Sequence, residues 1–81
     1  MKTVIIQNES GLHARPCSQI MNMVKDVAGE VYLVKEGVPY NAKSIMGLMS
    51  MGVTKGTQLT IECPDEVVAE SLYQFLLELS E

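Results

Sequence analysis

Residues 57–63, Thr-Gln-Leu-Thr-Ile-Glu-Cys, alternate between polar and apolar side chains, and this alternation constrains the fold more than any other feature. Successive side chains of a strand point to opposite faces, so Leu59, Ile61 and Cys63 should meet a core while Gln58, Thr60 and Glu62 meet water. A sheet wet on one face carries its covering layer on the other. Every helix in the chain is therefore expected on one side of a single antiparallel sheet.

The other elements fall around that strand. Thr3-Val4-Ile5-Ile6 is β-branched and runs into the polar stretch Gln7-Asn8-Glu9-Ser10-Gly11, the pattern of a first strand and its turn. From Pro16 onward Cys17, Ile20, Met21, Val24 and Ala28 recur at three- and four-residue steps, which predicts a helix closed by Gly29. Pro16 is tolerated there because the first turn needs no intrahelical N–H. Residues 30–35 read as a second strand. Glu36-Gly37 turns it into a third, Val38 to Asn41, in which Pro39 suits an edge or a bulge. Ser44 is expected to cap a short helix from Ile45 to Met51, closed by Gly52. Pro64-Asp65 opens the last helix, with Val68, Leu72, Phe75, Leu76 and Leu79 as its apolar stripe. The order βαββαβα predicts an α+β open-faced sandwich, with residues 1–81 forming one domain. A chain of 81 residues has room for one two-layer core and no deep cleft.

Charge and composition exclude several functions. The formal charge of −4 argues against a nucleic-acid partner, for which a basic face is expected. No apolar run approaches the roughly 20 residues that span a bilayer, and Met1-Lys2-Thr3 leads straight into a strand, so a cytoplasmic, unprocessed chain without membrane insertion is expected. Cys17 and Cys63 read as two reduced thiols. One histidine and two cysteines are too few for a closed zinc site, so no metal is expected. Cys17 lies on the apolar stripe and reads as a buried, inert thiol; its place near a helix start leaves redox sensitivity as the alternative.

The chemistry concentrates in Gly11-Leu12-His13-Ala14-Arg15-Pro16, which sets the only histidine where a strand ends and a helix begins. A neutral imidazole has a lone pair to offer phosphorus. The amides of Ala14 and Arg15 open the helix and can donate to phosphate oxygens, and the Arg15 guanidinium adds a fixed charge. Gly11 allows a tight turn that leaves the ring uncovered. A shallow site of this kind suits handing a phosphoryl group on rather than enzymatic turnover, for which no carboxylate pair, Ser/His/Asp set or Gly-rich phosphate loop is present. The bland alternative is a surface histidine with no special role. The second constellation spans Asn41 to Gly52, whose short helix carries more apolar residues than one face can bury; some must be exposed and open to partners. Ser44 reads either as a routine cap or as a phosphorylatable switch.

Residues 11–16 and Lys43-Ser44-Ile45-Met46-Gly47-Leu48-Met49-Ser50-Met51-Gly52-Val53 resemble the two signature regions of the HPr family, the histidine-containing phosphocarriers of the bacterial phosphoenolpyruvate:sugar phosphotransferase system. The resemblance covers essentially the whole chain. It implies sheet order 1-4-2-3, phosphorylation at Nδ1 of His13, and a phosphate steadied by Arg15. Enzyme I would donate the group and the IIA domains of sugar permeases would accept it, with no cofactor and with the chain acting as a monomeric carrier rather than an enzyme. Ser44 matches the serine modified by the ATP-dependent HPr kinase/phosphorylase, and the seryl-phosphorylated form would serve a catabolite-control transcription regulator. Leu12, Ile45, Met46 and Met49 would contact partners. Cys17 stands where the family usually has alanine, and the loop Glu62-Cys63-Pro64-Asp65 is shorter than usual. The alternative function is a regulatory HPr-like binding module, in catabolite control or a nitrogen-related branch, with little sugar transport. Retention of His13 argues against it, since purely regulatory relatives lose that residue.

Overall fold

Four strands and three helices follow one another in the order β1 (Lys2–Ile5), α1 (Ala14–Val24), β2 (Tyr32–Lys35), β3 (Val38–Asn41), α2 (Ile45–Met49), β4 (Gln58–Glu62) and α3 (Glu66–Leu77). This is a computed structural model, and it describes residues 2–79. The strands form one antiparallel sheet in the order β1-β4-β2-β3, with the helices packed on one face. The expected open-faced sandwich and its strand order are what the structure contains.

The register explains why one face is dry. Val4 lies opposite Leu59, and Leu33 lies opposite both Ile61 and Tyr40. These side chains meet Cys17, Ile20 and Val24 of α1, Leu48 of α2 and Leu72 and Leu76 of α3 in one continuous core. On the other face Thr3 pairs with Thr60, their hydroxyl oxygens 3.4 Å apart, and Thr60 pairs with Val34. Pro39 sits in β3, which pairs only with β2, so its missing N–H weakens no central ladder. At the start of α3, Asp65 accepts hydrogen bonds from the amides of Val67 and Val68, at 3.0 and 3.2 Å.

Several boundaries differ from the sequence reading. Helix α1 begins at Ala14 and ends at Val24, well short of Gly29. The chain leaves α geometry after Lys25, and the Val27 amide donates to the Val24 carbonyl at 3.0 Å, a tightened turn that rolls Val27 into the core and leaves Ala28 exposed. Met21 is only half-buried. Strand β2 starts at Tyr32 instead of residue 30, although the Val31 carbonyl still accepts the Ala42 amide at 2.8 Å. Helix α2 stops at Met49, because the Met51 amide bonds back to Leu48 and Gly52 follows with φ +66. β4 ends at Glu62, and Cys63 just beyond it is half-buried, packed against the core that holds Leu59 and Ile61, with its thiol donating to the Asp65 carbonyl at 3.4 Å.

Candidate functional site

The segment between β1 and α1 is held by the segment that follows α2. Ile6 exchanges backbone hydrogen bonds with Thr57 and Gly56, at 2.9 and 2.7 Å. The chain then closes a small loop in which the Gly11 amide donates to the Asn8 carbonyl at 3.3 Å and the Asn8 side-chain amide donates to the Gly11 carbonyl at 2.9 Å. Gly11 adopts φ +63, and a Cβ placed there would lie 2.0 Å from the Val53 carbonyl oxygen. Both facts demand glycine: the left-handed conformation and the backbone-to-backbone approach. Leu12 then turns inward.

That turn delivers His13 to the N-cap of α1. Its backbone is extended, with φ −100 and ψ −168, and its carbonyl accepts the Cys17 amide at 3.1 Å, so helical bonding starts there. Its ring makes no capping hydrogen bond. The amides of Ala14 and Arg15 occupy the first two helical positions, where no carbonyl lies four residues back within the helix. Pro16 at the third has no N–H to satisfy. His13 is half-buried at the surface, and Ala14 and Arg15 are exposed. The geometry thus sets a half-exposed imidazole at the N-cap, before the first two amides at the positive end of an 11-residue helix, with the exposed Arg15 in the first turn. Such an arrangement can bind a dianionic group and form a bond to it at a ring nitrogen.

Helix α2 holds the second constellation. Ser44 is its N-cap, the hydroxyl oxygen accepting the Gly47 amide at 3.0 Å. Leu48 is buried, Ile45 half-buried, and Met46 and Met49 are 80% and 46% exposed. The surplus of apolar side chains does reach the surface. Helix α2 packs against α1, and two contacts orient the pair. The Lys43 ammonium donates to the Val27 carbonyl past the end of α1, at 2.6 Å, while Val53, after α2, abuts Gly11 before the start of α1. The helices therefore run in opposing senses, with His13 and Ser44 toward opposite ends and the methionines between. One expected partner residue is misplaced: Leu12 is only 7% exposed and belongs to the core, because the Gly11 turn rolls it inward.

Residues 1–79 match the family model described as the PTS HPr component phosphorylation site. The chain belongs to the HPr family. It is a phosphocarrier, a component of the phosphotransferase system that carries phosphoryl groups, and not an enzyme. The phosphocarrier protein HPr of Treponema pallidum (strain Nichols) is 39% identical over 80 residues, covering 96% of this chain and 91% of that protein. The HPr-like protein Crh of Bacillus subtilis (strain 168) is 39% identical over 69 residues, covering 85% and 81%. Among solved structures, the phosphocarrier protein HPr of Bacillus anthracis str. Ames superposes with a TM-score of 0.76 at 32% identity, covering 93% of each chain.

Within this HPr fold, sequence reasoning missed the residues that brace the site from behind. Asn8 passed for an ordinary turn residue, although it stands three positions before Gly11, the spacing at which a side-chain amide reaches a backbone carbonyl across a tight turn. The Val53 carbonyl that walls Gly11 has no sequence signal at all. Lys35 and Lys43 each donate to a backbone carbonyl, of Met51 at 2.7 Å and of Val27 at 2.6 Å, holding the chain at the ends of α2 and α1. Cys17 is fully buried, and burial alone pushes its thiol pKa up, away from the reactive thiolate. No helix among the described residues is long and apolar enough to cross a membrane.

Proposed function

We propose that His13 is the phosphoryl acceptor and donor of this phosphocarrier, with the Ala14 and Arg15 amides and the Arg15 side chain cradling the group. The observation that carries this reading is the uncapped start of α1 with a surface imidazole at its N-cap. A lone pair on the neutral ring attacks phosphorus, the bond from phosphorus to the donor's leaving atom breaks, and that atom departs with the electron pair. The phosphoryl oxygens then face two amides and a guanidinium. The cradle is open, so the same step runs in reverse onto an acceptor.

In this reading enzyme I is the donor and IIA domains of sugar permeases are the acceptors, in the cytoplasm, with residues 1–81 acting as one monomeric unit. Met46 and Met49, with Ile45 beneath them, supply an adaptable apolar contact on the helix beside α1. Leu12 supports the site from within and adds little contact area. Incubation with phosphoenolpyruvate and enzyme I should yield a single acid-labile, alkali-stable phosphoryl adduct that His13→Ala abolishes. Equal labelling of His13→Ala would end the proposal.

A second role rests on Ser44. Its hydroxyl is half-buried at the surface, at the foot of a helix with exposed methionines, and the chain is as similar to an HPr-like Crh protein as to an HPr. Phosphorylation there by an HPr kinase/phosphorylase would add negative charge beside the apolar patch and change its partners toward a catabolite-control transcription regulator. With ATP and the kinase, absence of any labelling that Ser44→Ala removes would discard this role.

A further inference from the structure

We infer that Asn8 is a positioning residue for phosphoryl transfer at His13, an inference that rests on the reading of His13 as the acceptor. Asn8 is the only polar or charged residue among the described ones that is buried, at 5% exposure. Burial of an amide is costly unless it is hydrogen-bonded, and its Nδ2 donates to the Gly11 carbonyl at 2.9 Å. The backbone of the same two residues is joined in the other direction, from the Gly11 amide to the Asn8 carbonyl. Gly11 is thereby held at both its polar groups by one residue, while its α-carbon rests against Val53.

Only Leu12, itself in the core, separates this doubly held glycine from His13. The peptide whose carbonyl Asn8 holds is the one joining Gly11 to Leu12, so its orientation sets the path of the chain into the N-cap. A rotation of that peptide would move the imidazole relative to the Ala14 and Arg15 amides. Those amides are fixed by α1, which is anchored separately through Cys17, Ile20 and Val24. The placement of the reacting nitrogen against its cradle is therefore set by the loop, and Asn8 is the buried side chain that fixes it at Gly11, where the exposed Glu9–Lys55 ion pair does not reach. Reactions that depend on such placement are sensitive to shifts of about 1 Å, which can cost on the order of 100-fold in rate.

The test compares Asn8→Ala, which removes the amide, and Asn8→Asp, which keeps its shape but sets an acceptor against the Gly11 carbonyl. Val68→Ala, a half-buried site on α3 remote from the loop, serves as a control for lost stability. Steady-state phosphorylation by enzyme I and phosphoenolpyruvate should show kcat lowered about 10-fold or more in both Asn8 variants. The KM of enzyme I for the carrier should stay within about two-fold, since the partner surface is untouched. Val68→Ala should retain the parent kcat. Parent kcat in either folded Asn8 variant, or an equal fall in Val68→Ala, would overturn the inference. A parent chain that takes up label independently of His13 would instead overturn the acceptor reading, and this inference with it.

Discussion

Replacing Gly11 with alanine tests the architecture of the site most directly, because the structure separates two costs. The first is conformational: at φ +63 an L-residue sits in the left-handed region, costing about 1–2 kcal/mol. It is partly offset by about 0.4–1 kcal/mol from the stiffer unfolded chain. The second is steric. The new methyl would lie 2.0 Å from the Val53 carbonyl oxygen, 2.9 Å from its carbon and 3.0 Å from the Thr54 α-carbon. All three are backbone atoms, so no side chain can swing aside; either Val53, itself buried, or the loop carrying His13 must move by more than an ångström. Forcing such a shift in a packed region costs roughly 1–3 kcal/mol.

The sum is a loss of about 2–4 kcal/mol, measured by urea unfolding at 25 °C. Gly37→Ala provides the internal reference, since Gly37 has φ +81 but nothing within 4 Å of where a methyl group would stand. It carries the conformational cost alone, about 1 kcal/mol net. Phosphoryl acceptance by the folded fraction should fall steeply in Gly11→Ala and stay unchanged in Gly37→Ala. Equal destabilisation by the two substitutions would refute the claim that backbone contact with Val53 positions the loop.

Arg15→Ala should slow phosphoryl transfer while leaving stability within about 0.5 kcal/mol, because the side chain is exposed; thermal unfolding and transfer kinetics decide the two halves. Thiol alkylation of the native protein should modify half-buried Cys63 and spare Cys17 until denaturant is added, whereas rapid loss of both thiols would contradict the buried placement. Gln74 and then Lys2 hold the Glu70 carboxyl below its ordinary pKa, and Glu70 in turn holds Lys2 above 10.5, with Lys2 also over the Tyr73 ring. The Glu70 share of stability is full above the ordinary glutamate pKa and lost as pH falls through the lowered one; the Lys2 share is full below 10.5 and lost as pH rises through the raised one. Glu70→Gln should therefore flatten both limbs of the stability–pH profile slightly, less in high salt, and an unchanged profile would refute the pairing. His13→Asp should abolish phosphoryl acceptance yet raise stability by about 0.5–2 kcal/mol, as read by denaturant unfolding; a destabilised variant would mean that the α1 amides are already satisfied.

Residues whose information is local are legible in the sequence alone. The alternation of Gln58, Leu59, Thr60 and Ile61 implied a one-sided sheet, and the sheet has one dry face. Ser44 and Asp65 announced helix starts, and both accept the expected amides. Helix ends were less legible, because they depend on contacts distant in sequence: α1 stops where Val27 turns into the core and Lys43, 16 residues on, takes its carbonyl. The same holds for the site. His13, Ala14 and Arg15 stand together in the sequence and together at the start of α1, but the Val53 wall is 42 residues from Gly11 and carries no signature in a carbonyl every residue possesses. Leu12 looked available to partners only because the sequence does not show which way a chain leaves a left-handed glycine.

The three helix starts differ in a way that ties stability to function. The N-cap side chains of α2 and α3, Ser44 and Asp65, turn back to accept amides of the first turn. Helix α1 has a backbone conformation equally suited to a cap, yet His13 stands there and its ring does not turn back. A capping side chain would contribute about 1 kcal/mol and would also occupy the donors that the proposed phosphohistidine would use. Leaving α1 uncapped keeps those donors free, and the positive end of the helix dipole remains unneutralised until an anion arrives. With His13 as the proposed acceptor, the anion would be bound covalently to the residue at the cap position, and the phosphorylated histidine would itself become the cap. Binding and capping would then be one event, stabilising the loaded form of the carrier relative to the empty one without enclosing the group it must pass on.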